Sequence, residues 1–319
     1  MIKYFNVILI CLSFYITSCE KNPISIQNHK DDEQILFIRN IGSKYSQICT
    51  LKPDGSELDI ISQTEFGYNN IGYQEARWSP DKSKIVVVGG PQSSPDIWPL
   101  WLMNMNGDFI QKLANNGMDP VWTNDNQILY HKPRGYSIST CQDIFFINIQ
   151  TYEELKAYNQ TDSLSIRIFG YFTTDNSYAA YLSDESLNVE HVISRFQINY
   201  VSRYTILYNY GTYRGVKPKL SPDEEKIIFT QGIYQNNDLY SLDIITNNIV
   251  NITNDPGEYH SLAWSPDGQR IAFSKENSSL SGEFKYTCDI FIFDLTADTC
   301  INLTGSYSDS ISCHVMDWK

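Results

Sequence analysis

Short runs rich in β-branched and aromatic residues recur along the chain, each separated from the next by a cluster of Ser, Pro, Asp, Asn or Gly. Runs such as "DIFFINI" (143–149), "DLYSLDI" (238–244) and "DIFIFDL" (289–295) have strand length and alternating apolar character. Almost nothing keeps a helical period. The pattern therefore predicts an all-β chain.

One unit returns at a regular interval. It reads "RWSPDKSKIVVVG" from Arg77, "VWTNDNQILYHK" from Val121, "YFTTDNSYAAYLS" from Tyr171, "KLSPDEEKIIFTQ" from Lys219 and "AWSPDGQRIAFSK" from Ala263, with the fragment "HVMDWK" closing the chain. Taking Trp78, Trp122, Phe172, Leu220, Trp264 and Trp318 as one position, the spacings are 44, 50, 48, 44 and 54 residues. A period in the forties with about four strands per unit is the signature of a propeller blade.

Turn chemistry accounts for the residue types. Ser bonds the turn backbone, Pro presets φ, Asp favours the third place, and Gly accepts the positive φ from which the next strand starts. Asn126 and Asn176 stand in for that Gly, and Lys82 and Glu224 do so less comfortably. The aromatic before the turn is expected to pack between neighbouring blades.

The two ends complete each other. "QILFIRN" (34–40), "QICTLK" (47–52) and "ELDIIS" (57–62) are three strands without an inner one, and "SCHVMDW" (312–318) is an inner strand without its other three. Pairing them closes a ring and hides the strand edges. The prediction is a six-bladed β-propeller of four-stranded blades, closed by the C-terminal strand joining the N-terminal blade. The repeated "WSPDG…IAF" pattern resembles the PD40, or WD40-like, repeat of TolB-type six-bladed propellers over roughly residues 34–319. TolB itself carries an extra N-terminal α/β domain and partners the Pal lipoprotein. The resemblance implies the fold rather than that pairing.

The first 18 residues change the picture of location. Lys3 precedes an apolar run from Tyr4 to Ile16 that is too short for a membrane span and fits a signal-peptide core. It leads into Ile16-Thr17-Ser18-Cys19, which resembles a bacterial lipobox with Cys19 as the lipidated residue. An ordinary secretory signal with a chance cysteine is the alternative. The polar stretch "NPISIQNHKDDEQ" (22–34) reads as a leash. The expected division is 1–18 lipoprotein signal peptide, 19–33 flexible tether and 34–319 propeller. Glu20 after Cys19 does not resemble an inner-membrane retention signal, so the outer membrane is expected, on its periplasmic or surface face.

Charge and cysteine content narrow the partners. The net charge of −13 argues against nucleic acid, and the protein is expected to be a monomer. Cys49, Cys141, Cys288, Cys300 and Cys313 are odd in number and form no CxxC pair, so mostly free, buried thiols are expected.

Candidate chemistry collects on one face. Strand-two-to-three and blade-to-blade links share an end of a propeller, and here they are the long segments, including 64–75, 89–99, 131–142 and 275–288. Tyr68, Tyr73, Trp98, Tyr136, Phe284 and Tyr286 are the contact candidates. His260 and His314 each lie four residues before the aromatic of their inner strand, as Gln74 does before Trp78, so the three should meet in the central funnel. Adjacent imidazoles can hold a divalent metal or an acidic ligand, or they can be plain hydrogen-bonded funnel residues. Oligogalacturonate lyases are similar in using this repeat type and place a metal on His and Gln. No cofactor is expected unless that metal site is real. The leading expectation is a lipid-anchored envelope module that binds a protein or glycan through the long-loop face. The alternative is a polysaccharide-active (lyase-like) or peptide-active enzyme centred on Gln74, His260 and His314.

Overall fold

The computed structural model describes residues 33–42, 44–65, 70–91, 98–123, 125, 127–133, 142–158, 164–172, 176–184, 189–196, 204–209, 218–233, 236–276, 287–305 and 311–319. Within them the chain forms strands and turns, with no helix. Blade one uses β1 (Ile35–Ile41), β2 (Tyr45–Leu51) and β3 (Asp59–Glu65). Blade two is β4 (Asn70–Trp78), β5 (Lys84–Pro91), β6 (Leu100–Asn104) and β7 (Phe109–Ala114). Blade three is β8 (Met118–Trp122), β9 (Gln127–Pro133), β10 (Gln142–Asn148) and β11 (Glu154–Tyr158). Blade four is β12 (Leu164–Phe172), β13 (Ser177–Asp184), β14 (Val189–Phe196) and β15 (Tyr204–Asn209). Blade five is β16 (Lys219–Leu220), β17 (Lys226–Ile233), β18 (Asn236–Asp243) and β19 (Ile249–Asn251). Blade six is β20 (Tyr259–Trp264), β21 (Arg270–Glu276), β22 (Cys288–Asp294) and β23 (Thr299–Asn302). The last strand, β24 (Ile311–Trp318), returns to blade one.

Each sheet has four antiparallel strands, and blade one has the order β24-β1-β2-β3. Ile35 pairs with Trp318 and Ile41 with Ile311, so the closure expected from the two ends is what forms. Every blade touches the next, including six against one and one against two. The ring is closed.

The core lies between blades rather than within any one of them. On β1, Ile35 and Phe37 pack with Ala272, Ile290 and Ile292 of blade six, while Leu36 and Ile38 pack with Trp78, Ile85 and Val87 of blade two. A strand buried on both faces needs a continuous apolar run, and "ILFI" supplies one. The motif tryptophans sit in these seams, as expected. Trp122 Nε1 donates to Arg77 O at 3.2 Å and Trp264 Nε1 to Lys219 O at 3.1 Å, in each case onto the preceding blade. Both are 45-residue spans, so the same bond recurs at these two seams, whereas the indole N–H groups of Trp78 and Trp318 are buried without a partner.

The Ser-Pro-Asp-Gly turns are closed by their own side chains. Ser265 Oγ donates to Asp267 Oδ1 at 2.6 Å and accepts from Arg270 N at 2.9 Å. Ser79 repeats this with Asp81 and Lys84. The fourth position has positive φ throughout: Lys82 58°, Asn176 56°, Glu224 63° and Gly268 68°. Asn126 lies outside the described residues. At the outer hairpins the last polar residue of strand three caps the turn: Asn104, Asn148, Asp243 and Asp294 each accept two backbone N–H groups. The short-turn end is thus bonded internally, blade after blade.

Of the cysteines, Cys49, Cys288 and Cys313 are free and buried. Burial pushes the thiols of Cys49 and Cys288 up to about 12, so both are packed as inert small groups. Cys300 departs from the expected free state: it is disulfide-bonded. Cys19 and Cys141 lie outside the described residues.

Candidate functional site

The inner strands pair regularly with their neighbours near the tryptophan and slip upstream of it. On β20, Tyr259 faces Lys275 and Ser261 faces Ser274, leaving His260 as the extra residue of a β-bulge. Bulges re-aim a side chain, and His260 is left exposed. His314 of β24 keeps regular register opposite Ile38. The two imidazoles meet edge to face with ring centroids 5.7 Å apart. These two side chains are therefore neighbours.

Three further groups complete the cluster. His260 Nε2 lies 3.5 Å from Glu276 Oε1 at the end of β21. His314 Nε2 shares a 3.0 Å hydrogen bond with Ser312 Oγ, which also accepts Cys288 N. Glu258 is tied to Glu276 through the backbone, Glu276 N to Glu258 O at 2.9 Å, and its Oε2 is buried with no hydrogen-bond partner. Glu258 could have been found from its place two residues before His260. Glu276 could not, because only strand pairing brings it back.

Burial, aided by the neighbouring His260, pushes the His314 imidazole down to about 4. At neutral pH His314 is uncharged, and its neighbour His260 stands beside the Glu276 carboxylate. The cluster offers acceptors, so it suits a ligand rich in N–H or O–H donors. Among the described residues no group of three or more His, Cys, Asp and Glu side chains is placed to hold a metal ion.

Gln74 occupies a different kind of bulge. On β4, Ile71 faces Gly90 and Glu75 faces Val88, so Gly72, Tyr73 and Gln74 together oppose Gly89. Gln74 is exposed, and its amide turns to Gly72 O at 3.4 Å. Equal offset from the tryptophan thus does not give equal placement. Tyr73, named as a contact candidate, is 2% exposed and its hydroxyl bonds Ser62 Oγ at 2.7 Å. It is packed beneath the long-loop face. Trp98 is half-buried against the seam between blades two and three. Tyr68, Tyr136, Phe284 and Tyr286 lie outside the described residues.

A second polar pair underlies the same face. Asp119 Oδ2 stands 3.5 Å from His131 Nδ1, both side chains being buried, and Asp119 holds a φ of 52°. A non-glycine residue in that conformation is uncommon.

No protein-family model matches the chain, and no curated protein does. Solved structures do. TolB from Acinetobacter baumannii superposes with a TM-score of 0.66 at 16% identity, over 89% of this chain and 66% of that one. The fold is that of a TolB-like β-propeller. A putative TolB from Agrobacterium tumefaciens gives 0.61 at 14% identity, over 89% of this chain and 98% of that one. A chain of a nidogen/laminin complex gives 0.59 at 6% identity, over 90% and 97%. At such identities the likeness carries the TolB-like architecture and leaves the function to the site.

Proposed function

We propose that this TolB-like propeller is a lipid-anchored module of the bacterial cell envelope, held by Cys19 to the outer membrane, that binds a protein or glycan through its long-loop face. The supporting observation is the contrast between the two ends. Turn after turn at one end has its polar groups bonded internally. The other end presents an exposed His260, a neutral His314 and a buried, unpartnered carboxylate oxygen on Glu258. A rigid scaffold with its unspent bonding capacity at one end displays a binding surface there. The similar structures include TolB proteins and a nidogen/laminin complex, the latter an instance of this fold within a protein assembly.

The test is position-specific photo-crosslinking in intact cells, with the probe at 74 or 260 for one end and at 82 or 224 for the other. Adducts of defined mass from 74 and 260, and none from 82 and 224, are expected. Adducts from the short-turn end alone, or from neither end, reject the reading. Cys19→Ser is expected to move the protein from the membrane to the soluble fraction.

A further inference from the structure

The described chain enters the propeller through a buried ion pair. Arg270 Nη2 donates to Glu33 Oε2 at 2.7 Å, and both side chains are 5% exposed. The Arg270 guanidinium lies over the Trp318 ring at 4.9 Å, and Asp267 Oδ2 stands 3.4 Å away. The next residue, Gln34, exchanges both backbone hydrogen bonds with Lys319, at 2.7 and 3.0 Å. Arg270 begins β21 of blade six and Trp318 ends β24 of blade one. Glu33 is therefore fixed across the seam, at the level of the Ser-Pro-Asp-Gly turns and beside the inner strands. Breaking one member of such a pair strands a buried charge, so the root of the leash does not swing freely.

The leash is short compared with the scaffold. Thirteen residues, fourteen chain steps, lie between Cys19 and Glu33. A chain of fourteen steps has a random-coil span of about 20 Å and a maximum reach of about 50 Å. Reaching the long-loop end means crossing the remaining strands at about 4.8 Å each and then climbing a strand height of about 24 Å. That path is close to 40 Å, about twice the relaxed span, and it would have to be held against chain entropy.

From this we infer that the propeller stands with its short-turn end toward the anchoring membrane and turns its long-loop end, with His260 and Glu276, away from it. The inference rests on the proposed lipid at Cys19. It makes the partner a macromolecule reached across the aqueous space, not the lipid surface that holds the anchor.

The experiment uses the full lipidated chain in phosphatidylcholine–phosphatidylglycerol vesicles that carry a nitroxide-labelled headgroup as quencher. A fluorophore is attached through Glu224→Cys, beside the turn before β17, or through Asn236→Cys, at the start of β18 on the opposite end of the same blade, with dye taken up by the parent chain subtracted. The label at 224 is expected to be quenched while that at 236 stays bright. Doubling the leash with a Gly/Ser insertion should shrink that contrast, and an unchanged contrast would reject the leash as its cause. Equal quenching, or stronger quenching at 236, overturns the orientation while the anchor stands. A parent chain that washes off the vesicles as Cys19→Ser does removes the anchor itself, and the orientation with it.

Discussion

At the short-turn end Ser79, Ser221 and Ser265 each bond the aspartate two residues ahead, and each accepts the backbone N–H five residues ahead. At the long-loop end the corresponding stretches of β4 and β20 slip out of register, and one carboxylate oxygen, on Glu258, is buried without a partner. Repetition at the first end serves assembly, because identical turns set identical steps between blades. Irregularity at the second end serves display. A position that must present a side chain cannot also spend it on the ladder beneath.

This contrast can be broken most severely from the seam. Trp264→Ala removes a buried side chain and its bond to Lys219 O, and is expected to cost about 3–5 kcal/mol, read as a fall in the urea midpoint. Arg270→Ala leaves Glu33 as a buried unpaired charge and is expected to cost about 3–5 kcal/mol, with much of the loss restored when Glu33→Gln is added. A double variant no more stable than Arg270→Ala would show that the pair does not hold the seam.

Acid should attack the two ends in turn. The His314 imidazole is pushed down to about 4 from an ordinary 6.5, so below pH 6.5 the unfolded chain takes up a proton that the fold refuses. The contribution is fully present above 6.5 and is lost as pH falls toward 4, by up to about 3 kcal/mol. His314→Gln should flatten stability across that window. The Ser79 hydroxyl and then Ser83 hold the Asp81 carboxyl down to about 2, so the short-turn end is expected to weaken only below about 4. A stability profile with no change between 6.5 and 4 would remove this ordering.

Two smaller effects sharpen the same division. His260→Ala should change stability by less than about 0.5 kcal/mol, since the side chain is exposed, while abolishing the crosslink from position 74. Lys82→Gly relieves a φ of 58° and is expected to stabilise by a few tenths of a kcal/mol, the relief being partly offset by the freedom of glycine in the unfolded chain. Both are read from denaturant midpoints.

Much of the fold is legible in the residues because its signals are local. A tryptophan, a four-residue turn and a β-run lie within about a dozen positions, and each constrains its neighbours through backbone conformation. Lys82 and Glu224 adopt the positive φ that their place in the turn demanded, although their side chains do not favour it. The site was less legible. Four residues before the tryptophan is one position in the sequence, but His260 is the extra residue of a bulge, His314 lies in register and Gln74 belongs to a wider bulge. Tyr73 looks like a display residue in its Gly- and Tyr-rich segment and is instead held by Ser62.

By itself, the sequence determined the all-β class, the repeat, the turn conformations and the closing of the ring by the last strand, because each rests on short-range sterics or on edges that must be paired. Only the tertiary structure decided that Glu276 and Glu258 join His260 and His314, and that Glu33 is buried against Arg270. Those contacts join residues 16 to 237 positions apart, and they depend on where each bulge falls and on how six blades share a circle. No local propensity encodes either.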